Sequence, residues 1–402
     1  MAVHVRHPFP LALGPSAPGI RTFSLLYFLE SLSRATLVTV LPLAAYGLFE
    51  SKETVSLVYT SVSLVALAFS FLIPLLVRRL TRRWTYTLGC VLLGTYAVLL
   101  ALDAPPALVA GMFCRTAGAA LLNVTLSLYI MDSIGKRELT RSEPMRLAVA
   151  TLSWGIAPYL GVRLMQGAGL WVPCALSLAA ALTLAAVFWW LRLAEGTPIR
   201  AGRGPAPLAT PWAAVRRFAG QPRLRLAWAI AFARSSFWVT FFIYIPILML
   251  EGGLGAGAGG LAVAAGNLML FNNLFARRWA TRHSLRRVLG SAFLAAAVLT
   301  LATGLFGLRA PALAGGAMVG GAFFVALIDG LGPVAFLRAV KAHERPQMTT
   351  VYRTYLDASE LLPPLAYALL FAVGGFALAF AALAALLAVI GILTLLHLPR
   401  GM

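Results

Sequence analysis

Glu30 and Arg34 are an acid and a base four residues apart inside an otherwise apolar run, residues 27–39. A spacing of four places both side chains on one face of a helix, where they can neutralise each other. A charge at the centre of a membrane helix costs roughly 2.5–3.5 kcal/mol, so such charges are kept where they face a partner, a cavity or a transported ion. We interpret this face as the lining of a polar cavity in which Glu30 carries a proton.

Two more charged residues, Arg234 and Asp329, lie in long apolar segments later in the chain. Asp329 is followed by a Gly-Leu-Gly-Pro sequence, which predicts an irregular helix at this point. We expect Asp329 to face Arg234 and, like Glu30, to be a proton-coupling carboxylate. The alternative is that both acids form fixed salt bridges, which hold one conformation and carry no proton.

A third charged group is Arg353, Asp357 and Glu360, near the end of the chain. Spacings of four and three place these side chains on one face of a helix. Asp357 and Glu360 are therefore further candidates for proton coupling. A salt bridge that holds the two halves of the protein together is the alternative.

Arg34 and Arg234 also fit a different chemistry, because a guanidinium group binds a carboxylate or phosphate through two parallel hydrogen bonds. In this interpretation the two arginines clamp an anionic substrate. Aromatic and amide side chains in nearby apolar segments are candidate substrate contacts, with ordinary helix packing as the alternative: Tyr27, Asn123, Trp238 and Asn267.

The composition identifies the class of protein that carries these charges. Of 402 residues, 60% are hydrophobic and 11% are charged, whereas soluble domains carry about 25% charged residues. The mean hydropathy is +0.85. Because about 20 apolar residues cross the hydrocarbon core, we predict twelve membrane spans: 22–48, 54–77, 84–102, 107–131, 145–167, 170–191, 224–249, 257–276, 287–308, 311–335, 350–373 and 376–397.

The net charge of +20 reflects membrane topology and not nucleic-acid binding. Most Lys and Arg residues lie in the termini and in alternate loops on one side of the membrane, and only Lys52, Arg163 and Arg309 fall on the opposite side. The positive-inside rule therefore places both termini in the cytoplasm. The expected organisation is a cytoplasmic N-terminal tail (1–21), a first six-helix bundle (22–192), a basic linker (193–223), a second six-helix bundle (224–397) and a cytoplasmic C-terminus (398–402).

The two halves of the chain are similar to each other. Residues 33–39, followed by Glu50, align with residues 234–240, followed by Glu251, and three shorter matches follow in the same order. Two parallel six-helix halves related by an axis along the membrane normal are the organisation of the major facilitator superfamily. The chain resembles that family over essentially its whole length.

The resemblance implies an all-α membrane fold of twelve helices in two pseudo-symmetric bundles, with spans 1, 4, 7 and 10 lining a central cavity. Glu30 and Arg34 fall on span 1, Arg234 on span 7 and Asp329 on span 10. Arg115 in span 4 lies in a stretch, 114–118, that is similar to the family's buried-arginine motif, and the resemblance implies a role for it in proton coupling.

Two further stretches resemble motifs of the family. Residues 74–83 are similar to its gating motif between spans 2 and 3, but Arg78 replaces the usual aspartate. Asp132 is expected to supply the missing acid to the arginine cluster that includes Arg79, and the alternative is that these arginines only fix the membrane topology. Residues 153–162 resemble the antiporter motif and keep Pro158 and Gly161. Small residues allow helices to approach closely, so Pro158 and Gly161 are expected at a gating seam, and the resemblance favours export by antiport.

The sequence thus predicts a secondary transporter that works by alternating access, most simply by proton-coupled antiport that exports a small organic molecule. A proton-linked organic anion transporter is the first alternative, and a non-transporting assembly factor or sensor with the same fold is the second. We expect no enzymatic activity, cofactor, metal or nucleic-acid partner. We expect a monomer in the lipid bilayer of the inner membrane, with protons and the substrate as its partners.

Overall fold

The structure is a computed structural model that describes residues 20–70, 72–73, 76, 79–133, 136–191, 211–272, 276, 279, 282–340 and 345–399. The helices within these ranges, in chain order, are α1 (Ile20–Leu37), α2 (Val40–Phe49), α3 (Lys52–Ser70), α4 (Arg82–Ala101), α5 (Pro105–Ser133), α6 (Lys136–Ala168), α7 (Trp171–Trp190), α8 (Pro211–Ala219), α9 (Pro222–Glu251), α10 (Gly255–Leu268), α11 (Leu285–Phe306), α12 (Pro311–Ala339) and α13 (Arg345–His397).

Nine helical segments of the described chain are long and apolar enough to cross a membrane. One of them, 348–397, is long enough for two spans. It consists of two helices that meet at a kink, at the non-helical residue Gly375 (φ 58°, ψ −152°). Glycine is the residue that adopts such a backbone at little cost. With α6, α10 and both halves of α13, the twelve predicted spans all correspond to helices, and the predicted twelve-helix membrane fold is confirmed.

The chain divides into two compact units. The first contains residues up to Glu50 and 61–200, and the second contains residues 51–60 and those from Ala201 onwards. Helix α3 therefore contributes its first residues to the second unit and the remainder to the first.

The first unit has an apolar core built around aromatic side chains. Tyr86 of α4 stacks on Phe188 of α7 with ring centroids 4.1 Å apart, and Phe23 and Leu26 of α1 are buried in the same cluster. Helix α1 also packs against α6 and α7. The core thus holds α1, which carries Glu30 and Arg34, against its neighbours.

In the second unit, α9 packs against α12 and α13, and α11 packs against α12 and α13. Gly321 of α12 lies near Phe237 of α9, while Gly315 lies near Met249, so the two helices run antiparallel. Helices α9 and α13 run parallel, because Trp228 contacts Thr354 and, further along both helices, Tyr244 contacts Phe371. These contacts bring α9, α12 and the first half of α13 together in one unit.

Some local predictions differ from the structure. The first predicted span is two helices with a turn at Val38 and Thr39, because Pro42 has no N–H to bond to the carbonyl of Val38. The predicted irregularity after Asp329 is wrong in the described structure, where α12 runs unbroken through Pro333. The eighth predicted span ends its α-helical part at Leu268 and continues as a 3-10 turn, Met269–Asn272.

Candidate functional site

The Asp329 carboxylate is held by two donors from one face of α9. Arg234 Nη1 donates to Oδ1 over 2.6 Å, and Trp238 Nε1 donates to Oδ2 over 2.7 Å. Arg234 and Trp238 are four residues apart, so one turn of helix presents both donors to a single residue of α12. Asp329 thus faces Arg234, as expected from the sequence, and Trp238 joins the pair as a second donor.

Tyr355 of α13 and Ser235 complete this cluster. Arg234 Nη2 donates to the Tyr355 hydroxyl over 3.2 Å and to Ser235 Oγ over 3.0 Å, and the Tyr355 ring centroid lies 5.4 Å from the guanidinium carbon. We call Arg234, Ser235, Trp238, Asp329 and Tyr355 the α9 cluster. The sequence did not single out Tyr355 or Ser235 for this site. Tyr355 lies two residues from both Arg353 and Asp357, on the opposite face of α13 from the charged residues.

Glu30 and Arg34 form the corresponding site in the first unit. Arg34 Nη1 donates to Glu30 Oε1 over 3.0 Å, as the spacing predicts. The Glu30 side chain is 1% exposed, whereas that of Arg34 is 23% exposed. The guanidinium carbon of Arg34 lies 5.8 Å from the ring centroid of Trp154 on α6, within the range of a cation–π contact.

Three arginines of the predicted site, Arg34, Arg115 and Arg234, each have a buried N–H group that makes no hydrogen bond to the described residues. This group is Nε–H in all three arginines. An unsatisfied buried donor costs free energy. These nitrogens are therefore places where an acceptor oxygen of a ligand would be favourable.

The predicted gating residues Pro158 and Gly161 are buried on α6. A side chain at Gly161 would collide with the main-chain carbonyl of Thr36 on α1, so the two backbones touch at this point. This contact lies just before the turn between α1 and α2. The close helix approach that the motif predicts is therefore present, and the gating role of Pro158 and Gly161 stays a prediction.

The other predicted gating residues, Arg79 and Asp132, lie at the edge of the described part of the chain. Arg79 is exposed. Arg78 lies outside the described residues, as does the side chain of Asp132. The expected contact between Arg79 and Asp132 therefore stays a prediction.

The remaining predicted substrate contacts are not part of either ion pair. Asn267 is buried and donates to the carbonyl of Val263 in its own helix over 3.0 Å. Asn123 and Arg115 are half-buried on α5, and Tyr27 packs at the edge of the first unit's aromatic core. Their positions fit a packing role as well as a binding role.

The charged face of α13 is directed away from the α9 cluster. Arg353 and Glu360 are exposed and Asp357 is half-buried, whereas Tyr352 and Ser359 are buried. The face that packs against α9 and α12 therefore carries tyrosine and serine. The spacing of the three charged residues on one face is as predicted, but that face lies outside the α9 cluster.

No group of three or more His, Cys, Asp or Glu side chains that could hold a metal occurs in the part of the chain that is described. The chemistry of both sites is that of a carboxylate paired with a guanidinium group. Such a pair can take up a proton on the acid, or it can exchange the acid for an anionic ligand on the arginine.

Comparisons with known proteins agree with this architecture. A peptide transporter of the POT type, solved in complex with sulfate, superposes with a TM-score of 0.74 at 15% identity, over 99% of this chain and 97% of its own. A POT family transporter in complex with a thioalcohol-conjugated peptide gives 0.71 at 16%, over 94% and 95%. A variant of the nucleoside transporter NupG gives 0.73 at 12%, over 94% and 100%.

At these identities the solved structures share the fold. A search of curated proteins finds no match. The model of the Major Facilitator Superfamily matches residues 23–273, which is more than half of the 402 residues. The chain is therefore a multi-pass membrane protein of the secondary-transporter type and belongs to the major facilitator superfamily.

Proposed function

We propose that this protein is a proton-coupled antiporter that exports a small organic molecule across the inner membrane, as a monomer with both termini in the cytoplasm. The observation that carries the proposal is the closed ion pair between Arg234 and Asp329, with Trp238 bonded to the second carboxylate oxygen. The pair between Glu30 and Arg34 supplies a second proton-sensitive group.

Both a proton and a substrate would act on the same pair. Protonation of Asp329 removes the negative charge that holds Arg234. A cationic substrate needs that same negative charge, so the proton and the substrate compete for one carboxylate. Competition of this kind is the requirement for exchange of one for the other, and alternating access then moves them in opposite directions.

Export is supported by the stretch around Pro158 and Gly161, where α6 and α1 touch. A seam of small residues permits two helices to slide without large side chains between them. We assign Asp357, Glu360 and Arg115 supporting roles in proton transfer outside the α9 cluster.

A proton-linked organic anion transporter is a second candidate, and the buried Nε atoms of Arg34 and Arg234 favour it. An anion that replaced Asp329 on Arg234 would leave the carboxylate free to accept a proton. The anion and the proton would then bind together and move in the same direction. The sulfate bound to the POT peptide transporter supports anion recognition in this fold.

The two candidates differ in the direction of proton movement relative to the substrate: an antiporter moves protons opposite to the substrate, and a cotransporter moves them with it. Purified protein in liposomes that enclose a pH-sensitive dye is exposed to ethidium, as the cationic probe, or to p-aminohippurate, as the anionic probe, with no initial pH gradient. Antiport of ethidium makes the lumen alkaline as the probe enters, and cotransport of p-aminohippurate makes it acidic. No flux of any probe would favour the non-transporting alternative.

A double variant separates a working ion pair from a merely structural one. Asp329→Asn and Arg234→Gln together remove both charges, so no uncompensated charge remains buried. If the pair only holds the fold, the double variant recovers transport that each single variant loses. We expect the double variant to recover stability and to remain inactive in proton-coupled transport.

A further inference from the structure

Helix α8, Pro211–Ala219, presents two different apolar surfaces. It packs against α9 and α13, and its buried residues are Ala214 and Phe218, four residues apart. Trp212 and Val215 lie on another face, and both are exposed. Trp212 is 75% exposed, so the described part of the chain leaves most of this large side chain uncovered.

The position of α8 indicates what covers Trp212. Only Gly220 and Gln221 separate α8 from the membrane-spanning helix α9. The short helix therefore lies at the level where α9 begins, at the boundary between membrane and water. Tryptophan is enriched at that boundary, where its ring contacts acyl chains and its N–H stays hydrated.

The long polar side chains exposed on and next to α8 are basic. Arg216 and Arg217 are exposed in its last turn, and Arg223 and Arg225 are exposed in the first turns of α9. No acidic residue occurs between positions 211 and 225. Each basic residue near an anionic membrane surface favours binding by roughly fivefold. The charge is therefore complementary to anionic phospholipid headgroups.

We infer that α8 is an interfacial helix that binds anionic phospholipids. Arg216 and Arg217 contact the headgroups, Trp212 and Val215 lie between the acyl chains, and Ala214 and Phe218 fix the helix to the second unit. The inference is independent of the proposed transport chemistry, because α8 contains no residue of either ion pair.

Quenching of tryptophan emission by brominated acyl chains tests this inference in the full-length protein. Vesicles contain an equal mole fraction of dibrominated phosphatidylglycerol or dibrominated phosphatidylcholine, and the emission that is lost in Trp212→Phe is assigned to Trp212. We expect that emission to be quenched by both lipids, and at least about twofold more by phosphatidylglycerol. Arg216→Gln with Arg217→Gln should equalise the two lipids.

Trp171 provides a matched control, because it is 63% exposed at the start of α7 and residues 167–175 carry no charge. Its emission, obtained from Trp171→Phe, should be quenched equally by both lipids. High salt should also remove the preference of Trp212 for phosphatidylglycerol, and this test needs no arginine variant that might misfold. Trp212 emission that neither lipid quenches, that both quench equally, or whose preference survives the arginine substitutions would overturn the inference.

Discussion

Arg234 Nη1 lies 2.6 Å from Asp329 Oδ1, which makes this pair the shortest of the described ion pairs in the second unit. We predict that Asp329→Asn abolishes gradient-driven transport while the protein remains folded. The amide oxygen can replace only one of the two carboxylate oxygens as an acceptor from Arg234 or Trp238, and the side chain can no longer exchange a proton. Flux in proteoliposomes and a melting curve measure the two effects separately.

Asp103→Asn is the matched control for this substitution. Asp103 is exposed in the connection between α4 and α5 and has a positive φ of 49°. Asparagine tolerates that backbone as well as aspartate does. We expect normal transport from this variant. Full activity of Asp329→Asn would remove Asp329 from the proton pathway.

Trp238→Phe tests the second donor to Asp329. The substitution removes the Nε1–H that lies 2.7 Å from Oδ2 and keeps an aromatic ring beside Phe237, Phe241 and Phe242. A hydrogen bond to a charged group contributes about 1.5–3 kcal/mol. We expect transport to fall about tenfold or more and the melting temperature to fall by a few degrees.

The control for this variant is Trp228→Phe, which lies on the same helix, α9, nearer its N-terminus. Trp228 Nε1 donates to Thr354 Oγ1 over 3.1 Å and makes no hydrogen bond to Asp329. Its loss removes a tryptophan N–H bond of similar geometry between neutral groups. Equal losses of transport in both variants would show that the effect comes from packing and not from the carboxylate.

The pairing of Arg234 with Asp329 could be predicted from the sequence. A charge buried in an apolar environment is strongly unfavourable without a partner, and few charges lie in the apolar segments of this chain. Arg234 and Asp329 were therefore natural partners once both were placed in membrane spans. The Glu30–Arg34 pair follows from helix spacing alone, since both residues lie on α1.

Tyr355 was not predictable in the same way, because it depends on the rotation of α13 about its axis. The charged residues of that helix suggested one inward face, whereas the structure buries the face that carries Tyr352 and Ser359. Spacing shows which residues share a face but not which neighbour that face meets. Helix α8 was also missed, because a nine-residue helix inside a basic linker has no span-length apolar signal.

The ion pair between Lys52 and Glu251 joins the first turn of α3 to the last residue of α9 in the second unit. Lys52 Nζ lies 3.2 and 3.0 Å from the two carboxylate oxygens and 5.0 Å from the ring centroid of Phe376. We expect Lys52→Glu and Glu251→Lys each to destabilise the protein by about 1–2 kcal/mol. The double reversal should recover most of the loss.

Thermal melting of the two single variants and the double variant measures this coupling directly. Arg309→Glu reverses an exposed charge and serves as the comparison. We expect it to change the melting temperature little. A double reversal that is as unstable as the sum of the single variants would show that the ion pair contributes nothing beyond each residue's separate contacts.

Gly161→Ala tests the close contact between α6 and α1. The added methyl group would meet the carbonyl oxygen of Thr36, which is a backbone atom and cannot rotate away. Overpacking of this kind costs about 1–3 kcal/mol, so the melting temperature should fall by several degrees. Gly167→Ala lies on the same helix with nothing within 4 Å, and alanine is the better helix former by up to about 1 kcal/mol. We therefore expect opposite signs for the two variants, and a Gly161→Ala protein as stable as Gly167→Ala would mean that α6 and α1 are not held in contact at this point.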